Sequence, residues 1–392
     1  MKRPEWVLLM LCGAVVSTGL GCVVEEDAEV PEPVGSVQEL LSVAVALDMG
    51  PYNGCVALTD GTAYCWGNNA GELGDGTTSP VQVAGLTNIV DVAGAYAHSC
   101  ALDSAGTVYC WGSNGYGKLG DGTRTAHYTA AAVTGVSNAV DVVTGSEHSC
   151  ALLSSGSVTC WGQDLHLQLG DLNNATDSPS PVTVSGLTDA VAISAGNQYT
   201  CALRSTGGVS CWGENFIGQL GDGTTTKRST PVSVTGITDA VALAAGGQHA
   251  CAILSDSTVK CWGSNSQGKL GTGSTTPTHS TTPVSVSGIS DAVQISAGIS
   301  HTCVVRTGGA VSCWGVNGNR QLGDGSVTNR SSPAAVSALS DSATVVQAGA
   351  VSTCALVSGG SVKCWGSDLD GQLGDGPTVS SGSLTAVTVA LP

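Results

Sequence analysis

The sequence predicts an all-β protein, a seven-bladed β-propeller of four-stranded blades, and three observations carry that prediction. The string CWG recurs seven times along 392 residues, beginning at Cys65, Cys110, Cys160, Cys211, Cys261, Cys313 and Cys364, with spacings of 45 to 52 residues. Each copy follows another Cys by ten residues. The segments between are turn-rich and β-branched with no sustained apolar stripe of helical period, as in propeller blades and unlike helical solenoids.

From the N-terminus, Lys2 and Arg3 lead into the apolar run from Trp6 to Val16 and the small residues Ser17, Thr18 and Gly19. This reads as a secretory signal over residues 1–21, too short for a mature membrane span. The end of the run, TGLGC at 18–22, resembles a bacterial lipoprotein signal, in which the Cys becomes the lipidated mature N-terminus. It departs from that signal in placing Leu20 where the Leu usually stands one residue earlier. The resemblance implies a lipid anchor at Cys22; the alternative is plain secretion with Cys22 unpaired. Either way the protein lies outside the cytoplasm, anchored in the envelope, with the outer membrane favoured, or secreted. Residues 22–41 carry Glu25, Glu26, Asp27, Glu29 and Glu32 with two prolines and read as an acidic, solvated tether.

Residues 42–392 form the propeller. In the fourth copy the strands are YTCAL (199–203), GVSCWG (208–213), PVSV (231–234) and DAVALAAG (239–246), each bounded by Gly, Pro, Ser or Asp turn chemistry. The last copy stops after its third strand, near Ala386 to Val389, while residues 42–50, SVAVALDMG, match the fourth. The expectation is a ring closed by this N-terminal strand pairing with the last blade, leaving only short protected edges.

The two Cys of CALxxxGxVxC flank a tight turn and fall opposite each other on a hairpin, at Cα separations that permit a bridge. Seven disulfides follow: Cys55 with Cys65, Cys100 with Cys110, Cys150 with Cys160, Cys201 with Cys211, Cys251 with Cys261, Cys303 with Cys313, and Cys354 with Cys364. Closing so short a loop contributes roughly 2 to 3 kcal/mol on the loop-entropy account. Zinc is a poor reading, because its sites favour closer Cys spacing and no His tracks all seven pairs.

The other repeated polar residues have structural readings. His98, His148, His249 and His301 share one repeat position with Tyr199 and Ser352, which points to a hydrogen bond between blades. The Asp of LGDG, as in Asp121, Asp222 and Asp324, reads as turn chemistry rather than calcium, because Thr272 replaces it in the fifth copy. The seven repeat Trp, Trp66 through Trp365, are expected to pack between blades. No HExxH, GxSxG or Cys-His pair stands outside the repeat, so the expectation is a protein that is not an enzyme and holds no metal or cofactor. A net charge of -17 repels phosphate backbones and anionic lipid, which excludes nucleic acid as a partner and leaves membrane contact only through Cys22.

The strings GxxHxCAL, GxVxCWGxN and GQLGDG resemble the regulator-of-chromosome-condensation repeat family over residues 42–392. The resemblance implies a seven-bladed propeller. Intracellular members usually place small residues where this chain pairs its Cys, which marks an exported branch. Family members include a secreted bacterial β-lactamase inhibitor, many interaction scaffolds and a nuclear guanine-nucleotide exchange factor.

Function belongs where the repeats differ. After CWGxN and after LGDG the long-loop rim carries Tyr116, Tyr128, Leu165, Phe216, Ile217, Lys227, Arg228 and Arg330, side chains that protein interfaces use. The leading expectation is a monomeric propeller binding another protein through this rim; the alternative is a set of tolerated surface loops. Two other functions stay open: the family's nucleotide-exchange activity, which export and disulfides oppose, and carbohydrate binding, for which Tyr116 and Tyr128 give thin support.

Overall fold

Short β-branched runs cut by Gly-, Ser- and Asp-rich turns pair with their nearest neighbours in sequence, and the chain folds as a succession of antiparallel meanders. The computed structural model describes residues 42–68, 78–173, 175–376 and 380–392. The signal, the tether, Cys22 and the first GELGDG turn lie outside the described residues. Seven four-stranded sheets span 44–82, 89–132, 139–183, 190–233, 240–285, 292–335 and 343–388, taken here as blades 1 to 7. In blade 4 the strands run from inner to outer as Ala190–Ala195, Tyr199–Arg204, Val209–Gly213 and Arg228–Ser233.

Blade phase differs from the sequence expectation by one strand. The segment at 239–246 does not finish blade 4. Its strand, Ala240–Ala245, is the inner strand of blade 5, because a tight turn joins it to His249–Leu254 and local pairing wins over the longer connection behind it. The N-terminal strand Ala44–Met49 accordingly ladders with Asn53–Leu58 in blade 1, and blade 7 draws all four strands from 343–388. That N-terminal strand still meets the last blade at the closure, where Gln347 Nε2 donates to Leu47 O at 3.0 Å and Trp66 Nε1 to Gln372 O at 3.0 Å.

The core is divided into seven seams. Each seam joins the disulfide of one blade to the Trp of the next: Cys201 and Cys211 with Trp262, Cys251 and Cys261 with Trp314, and, across the closure, Cys354 and Cys364 with Trp66. The paired Cys stand directly opposite in register, at Cα separations of 4.0 to 4.1 Å, as suits the closer, non-hydrogen-bonded pairs of an antiparallel ladder. All seven bridges are buried.

The repeat Trp also hold the neighbouring loops. Among the described residues six of the seven, Trp111 excepted, donate Nε1 to a backbone carbonyl just before the preceding blade's LGDG turn or its counterpart, as in Trp212 to Gln168 O and Trp262 to Gln219 O, both at 2.9 Å. The first turn Gly sits against that indole: Gly221 has φ +65°, and a Cβ there would come within 2.8 Å of Trp262.

Inner strands surround a central cavity of about 270 Å³. Polar side chains bridge them: Ser194 Oγ accepts from Ala245 N, Ser296 Oγ from Ala348 N, and Asp48 Oδ2 from Gly94 N. Asp48, Asp91 and Asp141 line this wall on consecutive blades. Burial pushes Asp48 up to about 6, and burial together with the Asp141 carboxylate holds Asp91 well above the usual range.

Candidate binding surface

Two kinds of connection share one rim: the turns from inner to second strand and the long loops from third to outer strand. A buried Asn three residues beyond the Trp organises each of several long loops. Asn215 Nδ2 donates to Thr224 O, Thr226 O and Asp222 Oδ1, while its Oδ1 accepts Leu220 N at 3.0 Å. The LGDG Asp closes the same turn, with Asp222 Oδ1 accepting from the N–H and hydroxyl of Thr224. Burial works against ionisation of Asp222, but the hydrogen bonds from Thr224 and Arg228 outweigh it and hold the carboxyl below its usual range.

The repeated His residues lock one blade to the next. The Nε2 of His98, His148, His249 and His301 lies 2.7 to 2.9 Å from the hydroxyl of Ser149, Thr200, Thr302 and Thr353, each on the following blade. Tyr199, at the same position, donates its hydroxyl to His249 O. Burial pushes His148 and His301 down to about 3, so these rings are neutral.

The predicted rim residues divide into three groups. Arg228 and Arg330 begin outer strands and turn inward, with Nε of each 2.9 and 2.7 Å from Oδ2 of Asp222 and Asp324, so much of their charge serves the turns. Tyr116 is exposed in the blade 2 loop, and Tyr128 is exposed on that blade's outer strand His127–Ala132. Leu165, Phe216 and Lys227 come together at the seam of blades 3 and 4: Lys227 Nζ lies 3.4 Å from Leu165 O, and the rings of His166 and Phe216 meet edge-on at 6.4 Å. Ile217 lies half-buried beside Phe216.

Leu172 joins this seam, its N–H reaching Ser229 O at 3.4 Å. Leu165, Leu172 and Phe216 are 58%, 64% and 63% exposed. His166 bridges the two loops, 3.7 Å from Glu214 Oε1. Leu172 and His166 escaped the sequence reading, although for Leu172 the signal was present: the third copy reads LGDL where its siblings read LGDG or LGTG. In the same loop Asp164 replaces the organising Asn, and burial, with Asp171 and Asp177 nearby, pushes its carboxyl up to about 7.

Seven disulfides belong to an oxidising environment outside the cytoplasm. Among the described residues no helix is long and apolar enough to cross a membrane.

Sequence comparison matches residues 9–350 to the RCC1-like domain. The chain is 42% identical over 83 residues to the E3 ubiquitin-protein ligase MYCBP2 of Danio rerio, covering 21% of this chain and 2% of that protein. It is 37% identical over 82 residues to the RCC1 domain-containing protein RUG3, mitochondrial, of Arabidopsis thaliana, covering 21% of this chain and 18% of that one. Both relatives are thus matched over less than a fifth of their length. Among solved structures, the yeast RCC1 (Prp20) bound to Kap60 superposes with a TM-score of 0.73 at 20% identity, over 95% of this chain and 91% of that chain.

Proposed function

The chain belongs to the RCC1-like domain family, and from that premise we propose that it is a non-enzymatic, exported propeller that binds another protein through the long-loop rim. The observation that carries this reading is the seam of blades 3 and 4, where Leu165, Leu172 and Phe216 stand in solvent on loops otherwise fastened by hydrogen bonds. Apolar side chains held at such exposure on a rigid frame cost hydration and repay it on contact. A family relative carries a protein partner, Kap60, in its crystal structure, which supports the binding class without naming a partner here. The disulfide ladder opposes nucleotide exchange on a cytoplasmic GTPase.

Envelope extract is crosslinked to the full-length protein and to Leu165→Ser and Phe216→Ser variants whose melting temperatures match it. We expect a discrete protein adduct that both variants reduce at least tenfold. An adduct unaffected by either change, or capture of glycan alone, would overturn the reading.

A further inference from the structure

The blade 3 loop departs in charge from those of blades 2, 4 and 6. In blades 2, 4 and 6 one Asn, one Asp and one basic side chain organise the long loop: Asn114, Asp121 and His127; Asn215, Asp222 and Arg228; Asn317, Asp324 and Arg330. The Asn Nδ2 donates to the Asp Oδ1 at 3.0 to 3.2 Å, and the basic group lies 2.7 to 2.8 Å from Oδ2. Blade 3 keeps the Asp as Asp171. It puts Asp164 where the Asn stands and Ser178 at the strand position of the basic residue, opposite the Gly of CWG. It adds Asp177, whose Oδ1 accepts Asp164 N at 2.9 Å, as Asn329 Oδ1 accepts Asn317 N at 2.8 Å in blade 6.

Three carboxylates therefore stand where blades 2, 4 and 6 have one, and Ser178 takes the place of their basic residue, as Ser280 and Ser383 do in blades 5 and 7. Arg124 of blade 2 approaches Asp177 Oδ2 at 3.5 Å. Asp164 is only 1% exposed, and its Oδ2 has no hydrogen-bond partner. In blades 2, 4, 5 and 6 that side-chain end is an amide donating into the loop, and in blade 7 the Oδ2 of Asp368 accepts Ser380 N at 3.1 Å; here it is an oxygen that no donor meets. Beside it an open cavity is lined by Asp171, Asn173, Thr176, Asp177, Ser178 and Val182, so five of its six lining side chains offer oxygen.

We propose that this loop binds a hard divalent cation, calcium foremost, through the carboxylates of Asp164, Asp171 and Asp177 with neutral oxygens from Asn173, Thr176 and Ser178. An all-oxygen set on an irregular loop suits calcium, which accepts six to eight such ligands in loose geometry, better than magnesium or the nitrogen- and sulfur-seeking metals. Among the described residues no three acidic, His or Cys side chains already converge as metal ligands. Asp171 accepts from Asn173, and Asp177 from the Asp164 N–H; binding turns these two partly exposed side chains inward. The affinity expected is that of extracellular calcium modules, a Kd on the order of 10⁻⁴ to 10⁻³ M.

The test uses the full-length, disulfide-bonded protein, stripped with EDTA and titrated with CaCl₂ or MgCl₂ by calorimetry and thermal melting. We expect one calcium per chain and a melting temperature several degrees higher in millimolar calcium, with magnesium far weaker. The double variant Asp164→Asn with Asp177→Asn, which restores the amides found at Asn317 and Asn329, is expected to fold and to lose the response. No calcium-dependent heat or melting shift overturns the proposal, as does a response that survives in the double variant. A melt that moves with pH near neutrality but not with calcium also overturns it, assigning a proton to Asp164 instead.

Discussion

Replacing Cys251 and Cys261 together by Ala tests whether the disulfides support the ring or merely decorate it. The bridge closes a sequence separation of ten, and the loop-entropy relation gives about 2.7 kcal/mol for its loss. Both sulfurs are buried against Ala244, Val304 and Trp314 in the seam between blades 5 and 6, so truncation removes packing worth about 1 to 2 kcal/mol more. The sum, about 4 kcal/mol, is a large part of the 5 to 15 kcal/mol typical of folded proteins. Urea unfolding of the oxidised wild type and the double variant, read by Trp fluorescence, measures the difference from midpoint and slope together, since freeing the unfolded chain also steepens the slope. Burial adds a kinetic corollary: dithiothreitol reaches the wild-type bridges only when seams open, so reduction in native buffer is expected to be far slower than in urea. A loss under about 1 kcal/mol, or equal reduction rates in the two solvents, would refute the argument.

Gly221→Ala is expected to destabilise by about 2 kcal/mol or more, since the left-handed backbone and the nearby Trp262 indole both oppose a Cβ; a melting curve within a degree of wild type would contradict this. His148 is neutral in the fold, with its pKa near 3, whereas an unfolded His titrates near 6.5. The unfolded chain thus takes up a proton that the fold refuses, and stability falls as pH drops from about 6.5 toward 3. His148→Gln, which can still reach Thr200 Oγ1, is expected to lose less stability than wild type between neutral and acidic pH, as followed by urea midpoints.

Repetition made the architecture legible. Seven CWG strings at nearly constant spacing declare seven units, and the CALxxxGxVxC hairpin dictates its own disulfide, as the register of Cys201 against Cys211 bears out. The phase of the blades was not legible, because a repeat can be cut at any strand; only the tight turn before His249 decides that 240–245 opens a blade. The rim was legible in composition but not in geometry. Arg228 reads as a free cation in sequence, and only the fold brings Asp222 beneath it. Leu172 carried its signal in a single departure from LGDG, whereas the meeting of His166 with Glu214 across two blades had none.

The indole bond that six of the seven Trp make to the preceding blade's loop, among the described residues, alters what counts as a module. The shape of a rim loop belongs half to the blade that encodes it and half to the Trp of its successor. A graft that exchanges one whole sheet therefore severs two such holds, one at each border. The piece that can be moved intact runs from one CWG to the next, so that a displayed loop travels with the indole that shapes it. Surface specificity in such a ring is set by ordered pairs of neighbours, and seven units offer seven addressable junctions.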